Sequence, residues 1–478
     1  MIIHSVRLCL LRVATAAGMS AVSASLTGCG GVPVTTGEIS ERNPPITAPG
    51  PNRWNEASLH TFNYTDGAYN IYAGLVFDAA GNLYGTTQSG GEAGCNIVES
   101  CGIVFELMRT ASGNWQEKVL HSFFASDPLG FFPRAGLTLD AKGDLFGSTS
   151  AGGPYCSGSV NCGAIFELFP NNGQRTEKVL HGFRGEIDGT SPEGALIFDA
   201  AGNLYGTTAE GGERDDGTIF ELTPQRNGSW EKSTLHSFTN DEGSGPEGKL
   251  AFDSAGNLYG TTEFSGAYRS ACGGYGCGTA FELKPGTSGT WTLKVLHSFG
   301  KGIDGAGPAS GLTFDASGNL FGVTAQGGAH SAVVPHACLL YGCGTVFKLA
   351  RSKKNKWTER VIHDFGYGTD GNLTRGDLIL DDRGALYGTT VEGGLYGSGI
   401  AFELVPGAGG KWKENVLHNF GNGKDGALPY TGMIFDPAHN LYGTTAGGGG
   451  YQTTLCKKSR GCGTIFEITR ARDSGDRR

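Results

Sequence analysis

Short stretches of alternating apolar and polar residues recur seven times along this chain. One copy consists of GLVFD (74–78), NLYGTT (82–87), GIVFEL (102–107) and WQEKVLHSF (115–123), here termed strands a, b, c and d. A period of two residues places alternate side chains on opposite faces and predicts β-strands. Between strands a and b, DAAG (78–81) combines an Asp that can bond its own backbone with a Gly that accepts positive φ, which predicts a tight turn. Each copy therefore predicts four short antiparallel strands.

The copies follow one another at intervals of 54–66 residues, measured between the aspartates of their a–b turns. These aspartates are Asp78, Asp140, Asp199, Asp253, Asp315, Asp381 and Asp436. A four-stranded antiparallel unit repeated at this interval is typical of a β-propeller blade. The sequence therefore predicts an all-β protein, a seven-bladed β-propeller with four antiparallel strands per blade.

The first and last strands of the pattern complement each other. WNEASLHTF (54–62) is a strand d with no strand a, b or c before it, and the last copy stops after its strand c near residue 468. We predict that this N-terminal strand closes the last blade, which removes two exposed strand edges. The predicted propeller spans residues 51–470, and a polar tail (471–478) follows it.

Composition and charge narrow the class of partner. Glycine accounts for 82 of 478 residues, against about 7% in an average protein, and this fits many strands joined by tight turns. The net charge is −9 and the sequence pI is about 5.7. A basic surface is the usual electrostatic requirement for binding nucleic acid, so we expect no nucleic-acid partner. We also expect a monomer.

The start of the chain has the features of an export signal. Basic residues precede a small and apolar run that is too short for a mature transmembrane helix. The run ends in LTGC (26–29), which resembles the lipobox of bacterial lipoproteins, where the chain is cut before an acylated cysteine. We predict a lipoprotein signal peptide (1–28), lipidation at Cys29 and a flexible tether (29–50); the alternative is an ordinary secretory signal cut near Ala24. The predicted location is the bacterial outer membrane or cell surface, with the lipid as the membrane contact.

Ten of the twelve cysteines form five close pairs in the loops between strands b and c. The pairs are Cys95 with Cys101, Cys156 with Cys162, Cys272 with Cys277, Cys338 with Cys343, and Cys456 with Cys462. The second cysteine of each pair directly precedes the Gly that opens strand c. We predict five disulfide bonds that close the longer loops, as suits an exported protein. The spacing of four or five intervening residues argues against zinc, for which two are usual.

The tryptophans and the strand-d histidines follow the repeat. The six Trp residues each lie six positions before a strand-d histidine, and Arg175 takes this place in the second copy. The seven histidines are His60, His121, His181, His236, His297, His363 and His418. Residues repeated in every blade are expected to be part of the framework, so we interpret the tryptophans as inter-blade packing and the histidines as structural.

The phrases GLVFDAAGNLYGTT, CGIVFEL and WQEKVLHSF together resemble the GloVer tandem repeat of bacteria. Proteins with this repeat are described as choice-of-anchor tandem repeat GloVer-containing proteins. The resemblance extends over residues 51 to about 470 and implies bacterial export, a variable surface anchor and a propeller-like array. Here the lipobox is the expected anchor. The resemblance implies no settled activity and assigns no catalytic residue.

Candidate binding residues lie in the loops that follow strand d and strand b. Five of the d–a loops contain Asp-Gly, at Asp66, Asp188, Asp304, Asp370 and Asp425. A ring of aspartates near a central channel is one way to hold Ca²⁺; the alternative, which we favour, is that Asp-Gly only forms the turn. His330 and His336 break the repeat in the longest b–c loop and form a further candidate.

Two functions fit these observations. The first is a cell-envelope binding or scaffold module whose ligand, a polysaccharide or a partner protein, meets the loop face. The second is an extracellular lyase or hydrolase acting on carbohydrate or lactone at the channel mouth. We find no catalytic constellation in the sequence and no cofactor signal besides the calcium ring, so we favour the binding module. Non-repeat polar residues that meet at the channel would favour the enzyme.

Overall fold

The computed structural model describes residues 54–68, 73–91, 101–156, 162–172, 174–329, 342–354, 356–366, 369–450, 456 and 461–471. The chain divides into a unit of residues 1–50 and a unit of residues 51–478, and every described residue belongs to the second unit. The predicted signal peptide, the lipid site at Cys29 and the tether lie outside the described residues, as do His330 and His336.

Seven four-stranded antiparallel sheets form a seven-bladed β-propeller, which confirms the predicted fold class. Blades 1 to 3 contain β2 (Val76–Phe77), β3 (Leu83–Thr87), β4 (Ile103–Arg109) and β5 (Trp115–Ser122); β6 (Thr138–Leu139), β7 (Leu145–Thr149), β8 (Ala164–Asn171) and β9 (Gln174–Gly182); β10 (Ile197–Phe198), β11 (Leu204–Thr208), β12 (Thr218–Pro224) and β13 (Trp230–Ser237). Blades 4 to 6 contain β14 (Ala251–Phe252), β15 (Leu258–Thr262), β16 (Thr279–Pro285) and β17 (Trp291–Ser298); β18 (Thr313–Phe314), β19 (Leu320–Thr324), β20 (Thr345–Arg351) and β21 (Trp357–Asp364); β22 (Ile379–Leu380), β23 (Leu386–Thr390), β24 (Ile400–Pro406) and β25 (Trp412–Asn419). Blade 7 contains β27 (Ile434–Phe435), β28 (Leu441–Thr445), β30 (Thr464–Arg470) and β1 (Trp54–Thr61), and β26 (Gly426–Ala427) and β29 (Gly447–Gly448) pair beside it. Single 3-10 turns occupy Glu186–Asp188, Arg269–Cys272, Thr287–Gly289 and Ala408–Gly410.

The N-terminal strand closes the ring as predicted. β1 pairs with β30 in antiparallel register from Trp54 opposite Arg470 to Thr61 opposite Thr464. The Arg470 guanidinium also lies 4.9 Å from the centre of the Trp54 ring. The blade that joins the two ends of the propeller is therefore held by a full strand ladder and by a cation–π contact.

Strand a is shorter than the sequence predicts, with two residues in each blade instead of five. The residues that precede strand a are not paired in the sheet, and they pack closely against the neighbouring blades around the central axis. A Cβ atom at Gly248 of blade 4 would lie 2.5 Å from the Ser310 carbonyl of blade 5, and one at Gly376 of blade 6 would lie 2.4 Å from the Gly432 nitrogen of blade 7. Strand a therefore borders the axis, and strand d forms the rim.

The glycine of the LYGTT phrase is a packing requirement. Gly85 of β3 lies opposite Phe105 of β4, and a Cβ atom there would come 2.6 Å from the aromatic ring. The same arrangement occurs at Gly147–Phe166, Gly206–Phe220, Gly260–Phe281, Gly322–Phe347, Gly388–Phe402 and Gly443–Phe466. A side chain at this position would force the ring to move, and closely packed interiors tolerate such changes poorly.

The hydrophobic core consists of layers between successive blades. One layer joins Phe105 and Leu83 of blade 1 to Tyr442 and Ile465 of blade 7, and equivalent layers occur around the ring. The tryptophans belong to this packing, as predicted: Trp115 meets Tyr442 of the preceding blade at a ring-centre distance of 6.4 Å. In blade 2, Arg175 takes the place of Trp and lies 5.6 Å from the ring centre of Tyr84.

The d–a and b–c loops lie on the same side of the propeller, here called the loop face. Each d–a loop forms a β-bridge with the start of the b–c loop in the blade that follows it. Examples are Ala68 with Ser89 in blade 1 and Thr190 with Glu210 in blade 3. Blade 7 makes the equivalent pairing through β26 and β29. The opposite side, here called the turn face, carries the a–b turns and the c–d hairpins.

Removal of the closing strand should open the ring. We expect a chain that begins at residue 63 to lose roughly 10 °C or more of thermal stability and to aggregate, because the edge of β30 that pairs with β1 becomes exposed. A chain that begins at residue 51 retains β1 and is the control. Light scattering and thermal unfolding compare the two, and a monomeric residue-63 chain of unchanged stability would contradict closure by β1.

Candidate functional site

Each strand-d histidine is paired with an acidic residue of the following d–a loop. Nε2 of the histidine and a carboxylate oxygen are 2.7–3.7 Å apart in all seven blades. The pairs are His60–Asp66, His121–Asp127, His181–Asp188, His236–Glu242, His297–Asp304, His363–Asp370 and His418–Asp425. Each imidazole also packs edge-on against the Phe two residues later, as in His60–Phe62. These contacts give the histidines the framework role that the sequence predicts.

The five Asp-Gly aspartates therefore do not surround the channel. Each lies beside strand d, the strand farthest from the axis, and accepts a backbone N–H within its own loop. In the loop of Asp304, for example, Gly300 N–H donates to Oδ1 at 3.0 Å. The structure thus gives these residues the turn-forming role, and the calcium ring around the axis is not formed by them.

A third residue approaches each of these pairs from the next blade. It lies four positions before the histidine of that blade's strand d and is Glu56, Glu117, Glu177, Lys232, Leu293, Glu359 or Glu414. Lys232 Nζ donates to Asp188 Oδ1 at 2.9 Å. Burial raises the pKa of Glu117 and of Glu359 to about 7 and that of Glu414 to about 8. The rim of the propeller therefore holds seven His–acid pairs, and in five of the copies the third position is a glutamate of the next blade.

A second cluster of charged residues lies at the axis on the loop face. It consists of Arg134 of blade 2, Glu193 of blade 3, Glu247 and Glu263 of blade 4, and Arg375 of blade 6. Arg134 Nη1 donates to Glu193 Oε1 at 2.7 Å, and Arg375 Nη2 donates to Glu263 Oε1 at 3.1 Å. The second contact joins blades that are not neighbours, so these side chains meet across the channel mouth.

The repeat framework does not dictate this channel cluster. Arg134, Glu193, Glu247 and Arg375 occupy equivalent positions, six residues before the a–b turn aspartate, where blade 5 has Ala309. The side chains of Glu193 and Glu263 are only 16% and 11% exposed, whereas those of Arg134 and Arg375 are 38% and 34% exposed. The carboxylates are thus recessed and the guanidinium groups face the opening.

Burial raises the pKa of Glu193 and, together with the charge of Glu263, raises the pKa of Glu247 well above its usual value. Glu247 therefore keeps its proton more readily and donates it in a hydrogen bond to Glu263. A carboxyl group with a raised pKa in hydrogen-bond contact with a second carboxyl group can act as a general acid. The same group of donors and acceptors can also bind the hydroxyl groups of a ligand.

The loop face also carries the exposed apolar side chains. Among the described residues, eight large hydrophobic side chains are exposed, and all of them lie in d–a or b–c loops. They are Phe124, Tyr155, Ile187, Phe264, Tyr275, Ile303, Leu395 and Tyr396. Phe264 and Tyr275 line a cavity of about 270 Å³ together with Asn240, Ser244 and Arg269.

Disulfide bonds close the bases of several b–c loops. Cys156–Cys162, Cys272–Cys277 and Cys456–Cys462 are bonded in the structure. Cys101 and Cys343 are disulfide-bonded as well, and their predicted partners, Cys95 and Cys338, lie outside the described residues. These bonds link both ends of the loops that build the loop face.

Sequence reasoning missed several of these residues. Asp127 and Glu242 pair with strand-d histidines without an Asp-Gly signal. The inter-blade glutamates do carry a signal, because five of the seven copies have Glu four positions before the histidine. The channel cluster carries one too, because it departs from the repeat at a framework position. Which blades face each other across the axis becomes visible only in the folded ring.

The fold and these loops define a seven-bladed β-propeller with disulfide-closed loops on one face. The chain belongs to the Gloeobacter/Verrucomicrobia repeat family, whose sequence profile matches residues 49–270, 155–334 and 270–475. This confirms the resemblance drawn from the three repeated phrases. Among curated proteins, no sequence matches significantly.

Solved structures with similar coordinates include three bacterial proteins of low sequence identity. The extracellular domain of a protein assigned to a hybrid two-component system of B. thetaiotaomicron is 11% identical, with a TM-score of 0.48; the match covers 86% of this chain and 40% of that one. A protein of Lactobacillus plantarum is 13% identical over 74% of this chain and 87% of its own, with a TM-score of 0.45. A protein of Bacteroides uniformis assigned as a 6-phosphogluconolactonase is 13% identical over 76% and 87%, with a TM-score of 0.46.

In the part of the chain that the structure describes, no helix has both the length and the apolar character needed to cross a membrane.

Lys232 should stabilise the rim through Asp188. Burial alone would raise the pKa of Asp188, but hydrogen bonds from His181 and Lys232 outweigh it and hold the pKa well below its usual range. A depressed folded-state pKa stabilises the protein above the unfolded-state pKa, near 3.9, and this contribution disappears as the pH falls. We expect Lys232→Met to cost about 1–3 kcal/mol at pH 7, with a smaller cost at pH 3.5 in urea unfolding. Lys178→Met, which removes a more exposed lysine from Glu167, should cost less, and equal costs at both pH values would contradict this role.

Arg375 should offset the negative charge of the channel cluster. Its charge lowers the pKa of Glu247, so Arg375→Met leaves the folded-state pKa of Glu247 still higher. A raised folded-state pKa of an acid means that stability falls as the pH rises through it. We expect a loss of about 1–3 kcal/mol at pH 8 and a smaller loss at pH 5 in urea unfolding. Arg383→Met removes an exposed guanidinium that pairs with the buried Asp381 and is the control; an equally large loss for this variant would show that the effect is not specific to the channel cluster.

Proposed function

We propose that this chain is an exported, lipid-anchored propeller that acts as a binding or scaffold module of the cell envelope. Its ligand, a polysaccharide or a partner protein, contacts the loop face. The observation that carries this proposal is the position of the eight exposed large hydrophobic side chains found among the described residues, which lie in loops of that face. The protein itself is proposed to be monomeric, so that the face is available to a ligand.

The chemistry of the loop face suits a ligand with both apolar and polar surfaces. Exposed aromatic rings cost free energy in water, and groups of them usually mark interaction sites. At Phe264 and Tyr275, two rings border a cavity that also contains amide, hydroxyl and guanidinium groups. Sugar rings have apolar faces and hydroxyl edges, and protein surfaces have a similar mixture. The loops that present these groups are closed at their bases by disulfide bonds, which reduces the entropy lost on binding.

Export and anchoring are supported by two features. Disulfide bonds persist in oxidising compartments, and the described residues contain three complete ones. The sequence LTGC (26–29) resembles a lipobox, and acylation at Cys29 would attach the chain to the outer membrane or cell surface. The tether (29–50) would then separate the propeller from the lipid.

The channel cluster favours a second candidate, an extracellular lyase or hydrolase acting on carbohydrate or lactone. Non-repeat polar residues from four blades meet there within hydrogen-bond distance. Glu247, whose pKa is raised, is suited to donate a proton to a substrate. Arg134 and Arg375 hold the side chains of Glu193 and Glu263 in place, and this positioning would serve either binding or catalysis. The binding module remains the preferred function because the loop face as a whole, and not only the axis, is adapted to contacts.

The loop face can be tested by a combined binding and turnover screen. Purified protein is incubated with cell-wall and plant polysaccharides and with envelope extract, and both retention and product release are measured. We expect saturable binding that the triple variant Phe264→Ala, Tyr275→Ala, Tyr396→Ala weakens by about tenfold or more, since buried aromatic anchors carry much of the affinity of such sites. Arg226→Ala with Lys354→Ala, on the turn face, is the control and should bind normally.

The same screen separates the two candidate functions. Product release that Glu247→Gln abolishes, with binding retained, would establish the enzyme and displace the binding module. Binding that the turn-face control loses, while the aromatic variant retains it, would contradict the use of the loop face.

A further inference from the structure

Three of the seven rim groups have the composition and spacing of a metal site. They are His60–Asp66–Glu117, His297–Asp304–Glu359 and His363–Asp370–Glu414. In each, one imidazole nitrogen and two carboxylate oxygens lie within 4.8 Å of one another. The histidine lies on strand d of one blade, the aspartate lies in the d–a loop that follows it, and the glutamate lies on strand d of the next blade. Each group therefore spans an inter-blade interface at the rim.

In each of the three groups, a buried glutamate oxygen makes no hydrogen bond. Glu117 Oε1, Glu359 Oε1 and Glu414 Oε1 are all inaccessible to solvent and accept from no donor. An unsatisfied buried carboxylate oxygen is costly, and native structures usually provide it with a donor, a proton or a cation. The three oxygens are directed at the same place in the repeat, beside an imidazole and a second carboxylate.

The equivalent group between blades 2 and 3 contains a cation of its own. There the third position is Lys232 instead of Glu, and its Nζ lies 2.9 Å from Asp188 Oδ1. Its side chain is 6% exposed, so the ammonium group is held inside the interface. This comparison shows that the rim framework accommodates a buried positive charge next to the His–Asp pair.

The distances in the third group fit a metal better than a direct hydrogen bond. His363 Nε2 is 3.7 Å from Asp370 Oδ2 and 3.9 Å from Glu414 Oε1. Ligands about 2.1 Å from a tetrahedral zinc ion are about 3.4 Å from each other. Small shifts of the three side chains would therefore bring all of them to bonding distance of one ion.

We infer that these three groups each bind a divalent transition-metal cation of the zinc type between neighbouring blades. One imidazole nitrogen and two carboxylate oxygens supply three ligands, and water completes the coordination. The imidazole favours zinc over Ca²⁺, which takes six to eight oxygen ligands. The ion would satisfy the buried glutamate oxygens and connect the outer strands of two blades, so it would stabilise the ring. This inference is independent of the function proposed for the loop face.

The test measures zinc bound by the full-length oxidised protein. After chelation and dialysis, the protein is titrated with Zn²⁺, and bound metal is counted by elemental analysis and calorimetry. We expect three equivalents that are lost one at a time in Glu117→Gln, Glu359→Gln and Glu414→Gln and together in the triple variant. Zinc should raise the thermal unfolding midpoint of the wild type and leave that of the triple variant nearly unchanged.

Two variants of the other rim groups serve as controls. Glu177→Gln changes the half-exposed glutamate near His121 and should leave the number of bound ions unchanged. Leu293→Glu places a carboxylate beside His236 and Glu242 and should add one equivalent. Fewer than one equivalent bound to the wild type, or the same number bound to the triple variant, would overturn the inference and leave protons on the three glutamates as the charge that satisfies them.

Discussion

The structure depends on the pairing of its first strand with its last. β1 and β30 are more than 400 positions apart in a chain of 478 residues, and their ladder completes the seventh blade. Once the ring is closed, every blade has two neighbours, and the same inter-blade layer can be repeated seven times without a terminal surface that needs capping. Closure therefore explains why the framework residues are so uniform: each one must fit an interface that is nearly identical to six others.

Because the framework is so uniform, the positions at which the repeat varies show where individual blades differ in their contacts. The glycine under the strand-c phenylalanine occurs in all seven blades because ring packing leaves no space for a side chain. The residue four positions before the strand-d histidine varies among Glu, Lys and Leu, so the rim tolerates different charges. The residue six positions before the a–b turn varies among Arg, Glu and Ala in the central blades, and there the differences produce ion pairs across the axis. At the rim, a change of residue affects only the interface between two neighbouring blades. At the axis, the variable side chains of several blades contact one another.

These differences also explain what the sequence could predict. A single sequence shows its local periodicity and its repeats. These two features were enough to predict the number of blades, the strand order, the ring closure and the inter-blade tryptophans. The pairing of Arg375 with Glu263 depends on which blades face each other across the channel. For the Asp-Gly aspartates the sequence left two alternatives, a channel ring and the favoured turn, because it shows the loop to which they belong but not the end of the loop at which they lie. In the structure the carboxylate turns back towards the histidine of the strand just completed.

Rim and axis have opposite physical requirements. At the rim, buried carboxylates lie between two outer strands, where any group that satisfies them also holds the blades together. At the axis, the carboxylates are recessed behind partly exposed guanidinium groups, so the charges are balanced within the protein while donors remain directed at the opening. A ligand at the mouth can therefore exchange hydrogen bonds with the channel cluster without disturbing the contacts that keep the ring closed. The contacts that stabilise the ring at the rim are thus separate from the side chains that are available to a ligand at the channel mouth.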